Sequence, residues 1–233
     1  KGELFFDVSV QKVLASGGVL SSFVDYVKYP RTYHLPISPG VTDDDKKLPD
    51  YSNFEGKEVV ATLKMDGENT TGYSDGYIHA RSIDSNNHES RAWVKNYLPS
   101  KLYDLPKGWR VCGENLFAKH SIHYKDLDSY FYLFSIWDNK NRCLSWRETL
   151  EWASLLELDV VPVLYCGVFN IDAIEDLHKN KDAQGNDCEG FVLRNASGFS
   201  YVDFRKNTGK FVRKEHVTTN KHWIKTKIVK NEI

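Results

Sequence analysis

The stretch Lys64-Met65-Asp66-Gly67-Glu68-Asn69 constrains the chain most, because it places a lysine at the end of an apolar run and follows it with a carboxylate and a glycine. The preceding residues 59–63 have the pattern of a buried strand, so we expect Lys64 at a strand end that faces a cleft. Gly67 would let the backbone turn close to a ligand. The pattern is typical of a covalent lysine nucleophile, which attacks phosphorus only as the free amine. It is also compatible with a strand and a polar hairpin turn.

Further short stretches follow in the order that a covalent nucleotidyltransferase requires. They are Arg81-Ser82 after a strand at 77–80, Gly113-Glu114-Asn115 after a strand at 109–112, the aromatic strand at 131–138, Glu189 to Arg194, and Lys210 to Lys214. With the Lys64 stretch, they resemble motifs I, Ia, III, IIIa, IV and V of the ATP-dependent RNA ligases. DNA ligases and messenger-RNA capping enzymes belong to the same superfamily of covalent lysyl-nucleotidyltransferases. Asn69 stands where many members carry arginine, as in the phage-type RNA ligases.

The resemblance covers residues 29–217 and implies an α+β fold, the nucleotidyltransferase fold of ligase adenylation domains. In that fold two antiparallel sheets are flanked by helices, and the nucleotide cleft lies between the sheets. Residues 1–28 have apolar positions at helical spacing and predict an N-terminal helical appendage. Residues 218–233 are expected to form a short basic tail. Further helices are predicted near 87–97, 145–156 and 171–179, and Ser145 with Glu148 has the pattern of a capping box.

The resemblance assigns the attack on the α-phosphate of ATP to Lys64, with Asp66, Glu189 and Lys210 as further catalytic residues. It assigns nucleotide binding to these residues and to a second set: Gly67, Asn69, Arg81, Glu114, Phe134, Arg213 and Lys214. Phe134 would stack on adenine, although a core aromatic residue is the alternative. Glu114 would accept the ribose hydroxyls or help to hold a metal, although a solvated acid in a turn is the alternative.

Strand alternation predicts that Glu189, Phe191 and Leu193 share one face of their strand. By resemblance, Glu189 and Glu114 hold the catalytic Mg²⁺ or Mn²⁺, a hard ion that would offset the triphosphate charge. Zinc is not expected, because the four cysteines are widely spaced and no Cys-x-x-Cys pair exists.

Lys210 begins the last motif, in which alternation would send Lys210, Val212 and Lys214 to one face and Arg213 to the other. In related ligases two lysines of this motif contact the α-phosphate, and the second of them is replaced here by Val212. The second cation is therefore left open between Arg213 and Lys214. A solvated basic strand is the alternative for all of these side chains.

Two loops outside the motifs carry weaker signals. Residues 31–40 contain two prolines and a glycine, which predicts an ordered loop. Similar loops precede motif I in some relatives, and this resemblance implies a position near the nucleotide, with His34 as the residue of interest. A purely structural loop is equally compatible with this composition. Residues 118–124 include Lys119 and His120, which would contact the terminal phosphates or the RNA end. A plain surface loop is the alternative.

The net charge is only −1, but it is unevenly distributed. Residues 204–230 contain nine lysines and arginines and a single glutamate. Lys221, Lys225 and Lys227 are therefore candidates for RNA-backbone contacts, which would weaken as salt rises. A solvated basic face is the alternative.

The resemblance therefore implies an enzyme that joins an RNA 5′-phosphate to a 3′-hydroxyl through lysyl-AMP and an adenylated RNA end, in RNA repair. The alternatives are a module of the same fold that binds RNA ends without sealing them, a DNA ligase, or a capping-type guanylyltransferase. Residues 219–233 are too few for an OB domain. Three alternatives stay open: the N-terminal helices substitute for it, a protein partner does, or the protein is a minimal ligase that acts on a preformed or simple RNA end. The nature of the RNA, which could be a nicked duplex, a tRNA break or a single strand, stays open. No apolar run of membrane length or signal peptide appears, and a cytoplasmic location in a bacterial or phage-infected cell is expected.

Overall fold

The computed structural model describes residues 25–41, 45–85, 87–179, 188–214 and 228–233. Most of the expected N-terminal helical appendage, at residues 1–24, lies outside the described residues. The candidate RNA-binding lysines Lys221, Lys225 and Lys227 also lie outside them. The candidate catalytic and nucleotide-binding residues all lie within the described part of the chain.

The described residues form ten strands and four α-helices. The strands are β1 (Glu58–Lys64), β2 (Glu68–Tyr73), β3 (Ile78–Ala80), β4 (Arg110–Asn115), β5 (Phe131–Trp137), β6 (Arg142–Cys143), β7 (Val163–Val168), β8 (Gly190–Asn195), β9 (Phe199–Ser200) and β10 (Thr208–Val212). The helices are α1 (Ala92–Lys101), α2 (Trp146–Leu155), α3 (Ile171–Asp176) and α4 (Phe204–Asn207). Short 3₁₀ turns precede α1 at Glu89–Arg91, follow α3 at Leu177–Lys179 and precede α4 at Tyr201–Asp203.

The strands form two antiparallel sheets. The first sheet has the order β10-β8-β1-β7, and the second has the order β3-β2-β4-β5-β6-β9. Neighbouring strands pair antiparallel in both sheets. The chain crosses from the first sheet to the second at residues 65–67, between β1 and β2. The predicted fold class, α+β with two antiparallel sheets, is confirmed.

The two faces of β1 bury different cores. Val59 and Ala61 pack on one face with Phe191 and Leu193 of β8, whereas Val60 packs on the other face with Met65. This alternation follows from the period of two along a strand. It leaves Thr62 and Lys64 on the face that looks toward the second sheet, where both line a cavity.

The helix α2 begins as its sequence predicts. The Ser145 hydroxyl accepts a hydrogen bond from the Glu148 amide at 3.2 Å, and the Glu148 carboxylate accepts one from the Ser145 amide at 2.8 Å. This capping box satisfies two backbone donors that the first helical turn leaves without partners. The helix predicted near 171–179 is shorter than expected, because α3 ends at Asp176 and continues as a 3₁₀ turn.

Residues 228–233 are packed against the body of the protein. Lys230 forms an antiparallel bridge with Ala118, and the Lys119 amide donates to the Val229 carbonyl at 2.7 Å. Among the described residues no helix is both long enough and apolar enough to span a bilayer.

Candidate active site

A cavity of about 300 Å³ lies between the two sheets. The first sheet contributes Lys64, Val192 and Lys210 to its wall, and the second contributes Glu114 and Phe134. Arg81 lines the cavity as well, so residues from all six sequence motifs meet at one concave surface. Concave sites with a few convergent polar groups are the usual place for ligands.

Lys64 ends β1 and forms an ion pair with Glu189. The Lys64 Nζ lies 2.6 Å from the Glu189 Oε1, and the two side chains are 25% and 9% exposed. The prediction that Glu189 shares the face of Phe191 was wrong, because Phe191 stacks on Phe211 in the core of the opposite face. The intervening Gly190 has φ +156°, and a Cβ there would lie 2.0 Å from the Phe211 carbonyl oxygen. Glycine alone fits this approach, and the conformation turns Glu189 toward Lys64.

The electrostatic surroundings of Lys64 favour its ammonium form. Burial by itself lowers the pKa of Lys64, but the carboxylates of Glu189, Glu114 and Asp66 outweigh burial and raise it. In the structure the carboxylates dominate, so the free amine requires their charge to be compensated.

Glu114 lies on β4 opposite Asn69 of β2, and both side chains line the cavity. Burial raises the pKa of Glu114 to about 8, and the negative charges of Glu189 and Asp66 add to the effect, while Lys64 opposes it. A buried carboxyl group beside other carboxylates gains most from a cation. Glu114 is therefore suited to a divalent ion or to hydroxyl donors.

Asp66 is held by a loop and does not line the cavity. Its carboxylate accepts hydrogen bonds from the Ser121 and Ile122 amides, both at 2.7 Å. Its own amide donates to the Tyr124 hydroxyl at 2.9 Å. The loop at 118–124, which contains Lys119 and His120, thus lies directly beside the turn at residues 65–67 that follows Lys64, called here the Lys64 turn. Neither Lys119 nor His120 lines the cavity.

Gly67 also lines the cavity, and its backbone runs close to β4. A Cβ at Gly67 would lie 2.5 Å from the Asn115 carbonyl oxygen. Any larger residue would separate the Lys64 turn from the strand that carries Glu114. The close packing of this turn against β4 therefore requires a glycine at position 67.

Phe134 owes its position to a β-bulge. Cys112 pairs with Ser135 while Gly113 pairs with Leu133, so Phe134 is an extra residue in β5. Such a bulge re-aims a side chain, and here the ring of Phe134 faces the cavity. Tyr29 packs edge to face against Phe134 with ring centroids 5.3 Å apart. Tyr29 also lines the cavity, but no motif surrounds it in the sequence, and it was not predicted.

Lys210 is fixed by the proline-containing loop. The Lys210 amide donates to the Tyr33 carbonyl at 2.8 Å, and the Lys210 carbonyl accepts from the Leu35 amide at 2.7 Å. Asp45 lies between two bases, with one oxygen 3.5 Å from the Lys210 Nζ and the other 3.3 Å from the His34 Nε2. Burial lowers the pKa of His34, and the nearby Lys210 lowers it further. Asp45 therefore links His34 to Lys210 at the cavity wall, and Asp45 was not singled out from the sequence.

Arg81 lines the cavity, as does Arg31, which the sequence analysis placed only within a loop. Burial lowers the pKa of Arg81, and the nearby charge of Arg31 adds to the effect. The last two cations of motif V lie elsewhere. Arg213 donates its backbone amide to the Glu189 carbonyl at 3.0 Å, Lys214 is exposed, and neither lines the cavity.

The donor set fits a divalent ion that is shared with phosphate. Within the described ranges, no group of three or more histidine, cysteine or acidic side chains is arranged to hold a metal alone. Glu114 and Glu189 nevertheless offer hard carboxylate oxygens beside one lysine. Magnesium-type ions are often held by one or two carboxylates together with substrate phosphates.

Residues 57–212 match the family model described as RNA ligase. No curated protein sequence is similar enough to the chain to count as a match.

Solved structures of an RNA ligase from Naegleria gruberi are similar in fold. The structure with pyrophosphate has 18% identity and a TM-score of 0.55, and the match covers 88% of this chain and 68% of that chain. A lysine-to-alanine variant with ATP and Mn has 17% identity and a TM-score of 0.55, and covers 84% and 62% of the two chains. A glutamate-to-alanine variant with AMP and Mn has 17% identity and a TM-score of 0.54, over 90% and 70%. The chain thus spans 62% of the length of the first of these, the variant with ATP and Mn.

Proposed function

The chain belongs to the RNA ligase family, and from this premise we propose that it is an ATP-dependent RNA ligase that works through a lysyl-AMP intermediate. The observation that carries the proposal is the convergence of Lys64, Glu114, Lys210 and Phe134 on one cavity, with Glu189 paired to Lys64. A covalent nucleotidyltransferase needs a nucleophile, carboxylates, a phosphate-binding cation and a surface for the base. All four occur here within the region that matches the family.

In the first step, the Lys64 Nζ attacks the α-phosphorus of ATP. A P–N bond forms, the bond between the α-phosphorus and the bridging oxygen breaks, and pyrophosphate leaves. The ammonium form of Lys64 must lose its proton before the attack, and Glu189 at 2.6 Å is the nearest acceptor. Lys210 would stabilise the charge that develops on the α-phosphate oxygens.

In the second step, an oxygen of the RNA 5′-phosphate attacks the phosphorus of lysyl-AMP. The P–N bond breaks, Lys64 recovers its proton, and the RNA carries AMP through a 5′–5′ pyrophosphate bond. In the third step, the RNA 3′-hydroxyl attacks the 5′-phosphate, gives up its proton, and releases AMP. The product is an ordinary phosphodiester, so atoms and charge balance over the three steps.

Glu189 and Glu114 are the residues that would hold a divalent ion, Mg²⁺ or Mn²⁺. When bound, such an ion would offset the triphosphate charge and polarise the α-phosphate. The similar Naegleria gruberi structures carry ATP with Mn, AMP with Mn, or pyrophosphate, which supports this combination of ligands. Phe134 would offer its ring to adenine, and Arg81 and Arg31 would bind phosphate oxygens at the cavity wall. RNA repair is the role we propose for the sealing activity.

The decisive experiment incubates the full chain with ATP labelled at the α-phosphate and with Mg²⁺ or Mn²⁺. We expect label to stay on the protein through a bond that is stable to base and cleaved by acid, as phosphoramidates are. Lys64→Ala should abolish the labelling. Lys57→Ala is the matched control, because Lys57 is an exposed lysine just before the same strand.

The alternatives give different results. Equal labelling of the Lys64→Ala protein would overturn the assignment of the nucleophile. Stronger labelling by GTP would indicate a capping-type enzyme. Absence of labelling together with tight binding of 5′-phosphorylated RNA would indicate a module that binds RNA ends without sealing them. Sealing of nicked DNA in preference to RNA would indicate a DNA ligase.

A further inference from the structure

The segment at residues 228–233 is fastened to the protein by Asn231. The Asn231 side chain donates to the Leu116 carbonyl at 2.7 Å and accepts from the Tyr124 amide at 3.0 Å. Its backbone amide donates to the Phe117 carbonyl at 3.2 Å, and its carbonyl accepts from the Tyr130 hydroxyl at 3.0 Å. Asn231 is 1% exposed. Four hydrogen bonds from one buried residue therefore connect this segment to the chain on both sides of the loop at 118–124.

That loop in turn holds Asp66. The Ser121 and Ile122 amides donate to one oxygen of the Asp66 carboxylate, and the Tyr124 hydroxyl accepts from the Asp66 amide. Asp66 lies two residues after Lys64, in the turn that leads from β1 to β2. A displacement of the loop would therefore move the turn that directs Lys64 into the cavity.

We propose that Asn231 is a positioning residue for the lysine-adenylation step. It holds Tyr124 and the loop at 118–124 in place, and through them it fixes Asp66 and the direction of the Lys64 side chain. The segment at 228–233 is then a structural part of the active site rather than a solvated tail. The inference rests on the proposed function, because it concerns the rate at which Lys64 attacks ATP.

The amide chemistry of Asn231 matches this task. One side chain must supply a donor to the Leu116 carbonyl and an acceptor to the Tyr124 amide at the same time, and the carboxamide does both. Alanine removes both bonds and leaves two buried backbone groups without their partners. The ATP contacts proposed for Phe134, Arg81 and Lys210 lie on other elements, so ATP binding should be much less affected than the rate of attack.

The test measures lysine adenylation by rapid quench of the full chain with labelled ATP. Asn231→Ala is expected to lower the rate at saturating ATP by about 10- to 100-fold, since misplacement of a reacting group by about 1 Å can have this effect. The half-saturating ATP concentration should change by less than about threefold. Val229→Ala is the matched control, because this side chain is 52% exposed in the same segment and its backbone carbonyl is retained. Thermal melts set a temperature at which every variant is fully folded.

A second variant separates positioning from general stability. Tyr124→Phe removes the hydroxyl that contacts Asp66 and keeps the backbone amide that Asn231 binds. If Asn231 acts through Tyr124, Asn231→Ala should lower the adenylation rate of the Tyr124→Phe protein by a smaller factor than it lowers the rate of the wild type. The two factors should differ at least threefold. Fully additive effects, or an unchanged saturating rate in folded Asn231→Ala protein, would overturn the proposal. A wild-type protein that takes up no label would overturn the proposed function instead.

Discussion

The Nζ of Lys64 lies 2.6 Å from the Oε1 of Glu189, so the proposed nucleophile is paired with a carboxylate that also suits a divalent ion. The ion pair favours the ammonium form, whereas the reaction needs the free amine. A cation bound to Glu189 would offset its negative charge and so lower the pKa of Lys64. Reactivity of Lys64 and binding of a cation are therefore coupled through one carboxylate.

Glu189→Gln should lower the pKa of Lys64, because the carboxylate of Glu189 is the largest influence that raises it. The pKa can be measured as the pH dependence of Lys64 acetylation by acetic anhydride, followed by mass spectrometry. Glu58→Gln is the control, since Glu58 is exposed at the other end of β1. The variant should nevertheless lose lysine adenylation, because a metal ligand is lost. An unchanged acetylation profile would contradict the role of this pair.

Phe134→Ala should weaken ATP binding while lysine adenylation remains measurable at high ATP. Stacking of a base on an aromatic ring contributes about 1–3 kcal/mol, which corresponds to about 5- to 150-fold in affinity. The measurement is the half-saturating ATP concentration for self-labelling. Tyr103→Ala is a suitable control, because that ring is 76% exposed and lies outside the cavity. An unchanged half-saturating concentration would show that adenine lies elsewhere.

Substitutions of Lys210 and of Asp45 should change lysine adenylation in opposite directions. Lys210→Met removes a cation from the cavity wall and should abolish lysine adenylation. Asp45→Asn removes the carboxylate 3.5 Å from the Lys210 Nζ, so that Lys210 becomes freer to bind phosphate. The half-saturating ATP concentration of the Asp45→Asn protein should fall several-fold in the self-labelling assay. A loss of activity as large as that of Lys210→Met would mean that Asp45 orients Lys210 instead of competing for it.

Glu114 should make the protein less stable as the pH rises. Burial raises its pKa from the usual 4.5 to about 8, so the folded state binds the proton more tightly than the unfolded state does. Its contribution to stability is complete below pH 4.5 and is lost as the pH rises through about 8. Glu114→Gln should flatten this decline when unfolding by urea is measured at pH 5, 6.5 and 8.5 without metal. Glu151→Gln, on an exposed face of α2, should leave it unchanged.

Local patterns predicted the parts of the fold that depend on neighbours in sequence. The capping box at Ser145, the strand that ends at Lys64 and the aromatic strand of Phe134 each follow from spacing over a few residues. The face of the strand on which Glu189 lies was predicted wrongly, because alternation assumes a regular strand. The positive φ of Gly190 interrupts this alternation. A glycine at the start of a strand is too common a signal to predict such a turn.

Contacts between segments that are distant in sequence could not be predicted from the sequence. Asn231 reaches Leu116 and Tyr124 over more than 100 positions, and Asp45 reaches Lys210 over 165. Neither contact leaves a period or a motif in the sequence. Tertiary packing alone brings these residues together, which is why the sequence singled out the motif residues but not Asp45, Tyr29 or Asn231.

The final prediction concerns RNA rather than ATP. Lys221, Lys225 and Lys227, outside the described residues, are proposed to contact RNA phosphates, as is Lys119 beside the Lys64 turn. Neutralising the three lysines to glutamine should lower RNA affinity and leave lysine adenylation nearly intact, because the ATP cavity lies within the two sheets. Each lost phosphate contact should reduce the slope of log affinity against log salt by about 0.7 for single strands or about 0.9 for duplexes. The exposed Lys140, in the turn between β5 and β6, serves as the control. An unchanged slope would mean that RNA is held elsewhere, and Lys119→Gln would then be the next variant to measure.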